Sequence, residues 1–148
     1  MNAAGSFFVD TNVVLYSIDA SEPVKQAVAH QWTEAVWAER VGRISWQVIF
    51  EFYSNAVRKL GVPTATARAT AEAMVLWNPA QPEHATLHRA WHWCDAAKIN
   101  FWDALIVAAA EQSGCRWLLS EDFQSGRRFG EVTVVNPFER PPAEFGLQ

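Results

Sequence analysis

Four acidic residues stand in surroundings that otherwise favour apolar side chains. Asp10 follows Phe7-Phe8-Val9 directly, Glu51 interrupts Val48-Ile49-Phe50-Glu51-Phe52-Tyr53, Asp103 sits in Asn100-Phe101-Trp102-Asp103-Ala104-Leu105-Ile106, and Asp122 follows Leu118-Leu119-Ser120-Glu121. Gathered in one place, such carboxylates repel and raise one another's pKa unless a cation joins them. Mg²⁺ or Mn²⁺ suits a hard oxygen shell, and a carboxylate-held metal suits chemistry on a phosphate. Each acid also has a local explanation. Asp10 fits an Asx turn, Glu51 a helix edge reaching water, Asp103 the third position of a helix capped by Asn100, and Asp122 a turn. Asp122 is preferred to Glu121 as a ligand because Phe123 beside it suggests a packed anchor, while Glu121 is expected to face solvent.

The elements needed to bring these acids together are legible in the pattern. Ser6 to Val9 reads as a strand, and Val13 to Tyr16 continues into a turn or helix start. Pro23 opens a helix running to about Arg40, with Val24, Ala27, Val28, Trp32, Val36 and Trp37 at helical spacing and Gly42 as its stop. Arg43-Ile44-Ser45 forms an edge strand or a direct link. A helix from Trp46 to Leu60 is stopped by Gly61, and another begins at Pro63 and reaches Met74 and Val75. Val75-Leu76-Trp77 is a possible strand, followed by turns at Asn78-Pro79 and Gln81-Pro82. Helices over about Glu83 to Ala97 and Phe101 to Gln112 come next, the second ending at Ser113-Gly114. Arg116 to Leu119 and Val132 to Val135 read as buried strands before a proline-containing tail at 137–148. Short apolar strands alternating with longer helices indicate an α/β fold with a largely parallel sheet. Sites in such sheets form beyond the carboxyl ends of the strands, where Asp10 and Asp122 fall.

Composition narrows the function classes. With 148 residues, half of them hydrophobic, the expectation is one domain over 1–148. No apolar run approaches the roughly 20 residues a bilayer demands, and Met1 to Ser6 lacks the basic start of a secretory signal, so a cytoplasmic protein is expected. A net charge of -4 excludes a broadly basic coat for nucleic acid. A local basic patch is still open to Arg58, Lys59, Arg68, Arg89, Lys98, Arg127 and Arg128. Cys94 and Cys115 do not make a disulfide framework. His84, His88 and His92 lie four apart, yet no zinc signature accompanies them. The eight tryptophans are expected to divide between the core and an interface.

The pieces FFVDTNVVLY, the helical Glu51-Phe52, NFWDALIVAAA and LLSEDF, in this order and spacing, resemble the PIN-domain family, and particularly the toxin ribonucleases of bacterial VapBC toxin-antitoxin pairs. The resemblance implies a three-layer α/β/α fold with a central, mostly parallel sheet of four or five strands. It implies that Asp10, Glu51 and Asp103 match the metal-binding acids and Asp122 the more variable fourth, with Asn12 and Ser120 as supporting polar residues. It further implies one or two Mg²⁺ or Mn²⁺ ions, an RNA substrate cut by water to a 5′-phosphate and a 3′-hydroxyl, a cognate antitoxin and a homodimer. Two other readings compete: a DNA-directed or structure-selective nuclease using the same centre, and a non-catalytic binding module whose acids are caps and surface charges.

Overall fold

Phe7–Val9 (β1) begins the sheet, its three side chains fully buried. In the computed structural model, which describes residues 5–148, β1 lies between Gly42–Arg43 (β2) and Trp117–Leu119 (β3), both parallel to it. Val132–Val135 (β5) continues beyond β3 in parallel, and Arg128–Phe129 (β4) closes the far edge antiparallel to β5. The order is β2-β1-β3-β5-β4. With helices on its faces, this gives the expected three-layer α/β/α architecture around a mostly parallel sheet. The segment from Met1 to Ala4, which entered the expectation about a secretory signal, lies outside the described residues.

The helices are Thr11–Tyr16 (α1), Pro23–Ala38 (α2), Trp46–Arg58 (α3), Thr64–Met74 (α4), His84–Ala97 (α5) and Phe101–Gln112 (α6). α1 packs on α2 and α3, α3 on α4, and α5 on α6, which itself reaches β3 and β5. α6 suits this central place because Ala104, Ile106, Val107, Ala108, Ala109 and Ala110 are all buried, and the run of alanines permits close helix approach. Pro23 occupies the first turn of α2 and Asn100 caps α6, as their types suggest.

Several boundaries differ from the sequence reading. α2 buries Ala29, Trp32, Ala35 and Val36, whereas Val24 and Trp37 are exposed, so its core face is rotated from the one expected. The helix ends at Ala38 with Glu39 as its cap, and Arg40 just beyond takes the left-handed conformation (φ 59°). Gly42 instead belongs to β2, where any Cβ would overlap the Trp77 ring and press on Val36. Ile44-Ser45 is the link to α3, bridged by Ala80, whose N–H donates to the Ile44 carbonyl at 2.9 Å.

Val75–Trp77 is a 3-10 turn continuing α4, not a strand. Val75 and Leu76 are exposed, and Asn78 in the left-handed region ends the turn. β4 was absent from the sequence reading because a two-residue strand bearing Arg128 has no apolar alternation. The proline-containing segment after Pro137 packs firmly. Its 3-10 turn Pro142–Phe145 puts the Phe145 ring against Phe7, Trp32 and Trp117, and Trp32 Nε1 donates to the carbonyls of Pro137 and Arg140. Among the described residues, no helix is long and apolar enough to cross a membrane.

Candidate functional site

Asp10, Glu51, Asp103 and Asp122 line one cavity of about 280 Å³ at the carboxyl ends of β1 and β3. Four separate elements deliver them. Asp10 ends β1 and caps α1, Glu51 projects from the middle of α3, Asp103 stands in the first turn of α6, and Asp122 lies in the turn after β3.

Asp10 is only 4 % exposed, and both its oxygens accept hydrogen bonds. Oδ1 accepts from the Thr11 N–H at 2.7 Å, while Oδ2 accepts from Ser120 Oγ at 2.8 Å and Asn12 Nδ2 at 3.2 Å. The local cap expected from sequence and the site role therefore coincide in one carboxylate. Asn12 is the bridge between strands: its Nδ2 also reaches Asp122 Oδ2 at 3.0 Å and Ser120 Oγ at 3.2 Å, and its Oδ1 accepts from the Glu121 N–H at 3.3 Å. Ser120 Oγ accepts in turn from the Asp122 N–H at 3.0 Å. Phe123 is buried, so the turn bearing Asp122 is anchored as its neighbour suggests. Glu121 does not face open solvent: it pairs with Lys25 at 2.9 Å, and Lys25 Nζ lies over the Tyr16 and Phe138 rings.

Glu51 is braced by two residues that sequence reasoning passed over. Thr11 Oγ1 donates to its Oε1 at 2.7 Å, and Gln47 Nε2 donates to its Oε2 at 3.0 Å while also reaching the Trp102 carbonyl. A signal for Gln47 was present. Gln47, Glu51, Asn55 and Lys59 recur every four residues on α3, and all four line the cavity. Among the proposed basic positions only Lys59 does so. Arg89 is held by Glu111, and Arg127 donates to the Ala97 carbonyl. Asp103 makes a reciprocal pair with Asn100: its N–H donates to Asn100 Oδ1, and its Oδ2 accepts from Asn100 Nδ2, both at 2.9 Å.

The electrostatics are those of an anionic cleft short of positive charge. Burial, then the charges of Asp122 and Glu51, push the Asp10 carboxyl up from 3.8 to about 7 despite the hydrogen bonds from Ser120 and Thr11. Burial raises Asp103 as well, again with Asp122 and Glu51 contributing. Among the described residues, no three His, Cys, Asp or Glu side chains form a ready-made metal cage. The donor set nonetheless suits a small hard cation, because Mg²⁺ is ordinarily held by one or two carboxylates and keeps several waters. His84 and His88 meet elsewhere, ring nitrogen to ring nitrogen at 3.1 Å on the exposed face of α5, with no acid beside them in a metal group.

Among curated proteins no relative matches the chain. Of solved structures, that of VapC20 from Mycobacterium tuberculosis, a sarcin-ricin loop cleaving toxin, is similar at a TM-score of 0.56 and 20 % identity. The alignment covers 76 % of this chain and 87 % of that one, and at such identity it speaks for the fold. The family model for the PIN domain matches residues 7–129, a span that begins at β1, ends with β4 and includes all four acids. The chain belongs to the PIN domain family.

Proposed function

We propose that the protein is a metal-dependent endoribonuclease and acts as the toxin of a type II toxin-antitoxin pair. The observation that carries the reading is the convergence of four acids from four elements on one cavity, where burial and mutual repulsion disfavour the anionic forms of Asp10 and Asp103. A divalent ion, Mg²⁺ or Mn²⁺, relieves that repulsion and supplies a lowered water pKa and positive charge against a phosphodiester.

In this reading Asp10, Glu51 and Asp103 hold one or two such ions, and Asp122 contributes directly or through water. Asn12 and Ser120 fix the Asp10 and Asp122 carboxylates relative to each other, and Thr11 and Gln47 hold Glu51 in its rotamer. Lys59 at the rim offers the strand a positive contact. Water opens the phosphodiester, leaving a 5′-phosphate and a 3′-hydroxyl. RNA rather than DNA, the cognate antitoxin, the homodimer and the cytoplasmic setting come into this reading from the toxin branch of the family. The VapC20 toxin, which shares the fold, is consistent with that branch.

The test is digestion of matched RNA and DNA oligonucleotides with Mg²⁺, with Mn²⁺ and with chelator, the product ends being identified. RNA cleavage that needs the ion, leaves 5′-phosphate ends and disappears in a folded Asp103→Asn protein is the expected result. Unchanged metal-dependent cleavage by that variant would overturn the assignment, and preferential cutting of DNA would replace the substrate class.

A further inference from the structure

His84 and His88 stand four residues apart in His84-Ala85-Thr86-Leu87-His88, the spacing that sets two side chains on one face of α5. Both are exposed, their Nε2 atoms lie 3.1 Å apart, and their ring centres are separated by 4.7 Å. Rings aimed straight at one another in an N–H···N bond of that length would hold their centres about 5.4 Å apart. Two imidazoles sharing one ion at about 2.05 Å, with an angle of about 98° at the ion, would hold them about 4.8 Å apart. The observed pair matches the second arrangement. The turn that carries it is fastened to its surroundings. The Glu83 N–H donates to Thr86 Oγ1, Thr86 Oγ1 to Gln112 Oε1 and Gln112 Nε2 to the Gln81 carbonyl, at 3.0, 3.0 and 2.9 Å. The His88 ring in turn meets Trp91 edge to face, with centres 5.2 Å apart.

We propose that His84 and His88 chelate a divalent transition metal, Cu²⁺ or Zn²⁺, at a site separate from the carboxylate cavity. The inference stands independently of the ribonuclease reading. Among the described residues, none on α5 lines the carboxylate cavity. The donors also differ in kind: imidazole nitrogen selects copper, zinc or nickel, whereas a carboxylate cavity suits Mg²⁺ and Mn²⁺. Among the described residues no third His, Cys, Asp or Glu joins the pair, so water completes the shell. The nearest acid in sequence, Glu83, is committed as the helix cap, its side chain accepting from the Thr86 N–H. A hydrogen bond between the two rings gives little reason for their closeness, because on an exposed face water competes for both nitrogens. Chelation does give one, and a turn already held by Thr86 and Gln112 loses little freedom when the ion binds.

The experiment titrates the full chain with Cu²⁺ at pH 7.5 and reads affinity by calorimetry and ligand type by electron paramagnetic resonance. A Cu²⁺ signal coupled to two nitrogens is expected from the wild type. His84→Gln and His88→Gln should each weaken that binding about 100-fold, since two linked donors gain at least that much over one, and should leave coupling to a single nitrogen. All three positions are exposed, so the variants and the control His92→Gln should keep the wild-type circular dichroism spectrum. The control should bind Cu²⁺ as the wild type does. In a parallel titration with Zn²⁺, the ring-proton resonances of His84 and His88 should shift together while those of His30 and His92 stay in place. Unchanged Cu²⁺ affinity in the His84→Gln/His88→Gln double variant would overturn the proposal. So would a loss in His92→Gln as large as that in His84→Gln, or equal Zn²⁺ shifts at all four histidines, which would mean an adventitious ion only.

Discussion

Asp10→Asn is the substitution whose effect on stability can be worked most directly from the structure. The buried carboxyl is raised from 3.8 to about 7, so between those pH values the folded state binds a proton that the unfolded chain has released. Stability therefore falls as pH climbs through this window and levels off above about 7. At roughly 1.36 kcal/mol per pH step, the gap corresponds to about 4 kcal/mol of destabilisation at pH 8. Asparagine carries no charge and escapes it. It also sets an amide against Ser120 or Asn12, where Oδ2 now accepts two hydrogen bonds, at a cost of about 1 kcal/mol. The metal-free variant should be less stable than the wild type by about 1 kcal/mol at pH 4 and more stable by about 3 kcal/mol at pH 8. Urea denaturation at several pH values, without divalent ions, reads this crossover. Mn²⁺ at pH 8 and about 1,000 times its Kd should then reverse the order, because it adds about 4.1 kcal/mol to the protein that binds it, more than the gap of about 3 kcal/mol. A difference between the two proteins that does not vary with pH would refute the electrostatic reasoning. Equal stabilisation of both by Mn²⁺ would remove Asp10 from the ion.

Thr11→Val keeps the side-chain shape but deletes the 2.7 Å hydrogen bond to Glu51; Mn²⁺ affinity in calorimetry should fall about 10- to 100-fold, and an unchanged affinity would show that Glu51 needs no brace. Phe145→Ala removes a ring packed on Phe7, Trp32 and Trp117 and should destabilise the protein by about 3 kcal/mol in chemical denaturation, whereas a loss under about 1 kcal/mol would mean that the C-terminal segment is not part of the core. Cys115 is buried, and burial pushes its thiol up to about 12, so at pH 8 a disulfide reagent should modify the half-buried Cys94 first and Cys115 only on unfolding. Simultaneous modification of both in the native protein would contradict that burial.

The long elements were readable because each carries its own signal. Pro23, Asn100 and Gly114 mark helix ends through φ preferences and caps that act locally, and the apolar triplets of β1 and β3 have one sensible place, inside a parallel sheet. What escaped the reading depends on partners far along the chain. Gly42 looks like a helix stop until Trp77 is seen to fill the space over it. Val75-Leu76-Trp77 has strand composition, but Val75 and Leu76 are exposed and Trp77 lays its ring over Gly42 of the edge strand β2 instead of pairing its backbone there. At the site, the acids announced themselves by being out of place. Thr11 and Gln47 did not, because a hydroxyl beside a cap and an amide on a helix are ordinary until Glu51 arrives from 40 and 4 residues away respectively. The four-residue recurrence from Gln47 to Lys59 was the one local hint, and it becomes informative only once that face of α3 is known to border Asp10 and Asp103.

Anomalous diffraction from a crystal soaked in Mn²⁺ tests most directly whether the four carboxylates share a cation. A manganese peak in the cavity, at about 2.0 to 2.2 Å from an oxygen of Asp10 and from at least one oxygen of Glu51 or Asp103, is the result this account predicts. A fully soaked crystal whose manganese lies elsewhere, with the Asp10 oxygens still bound only by Thr11, Asn12 and Ser120, would contradict it.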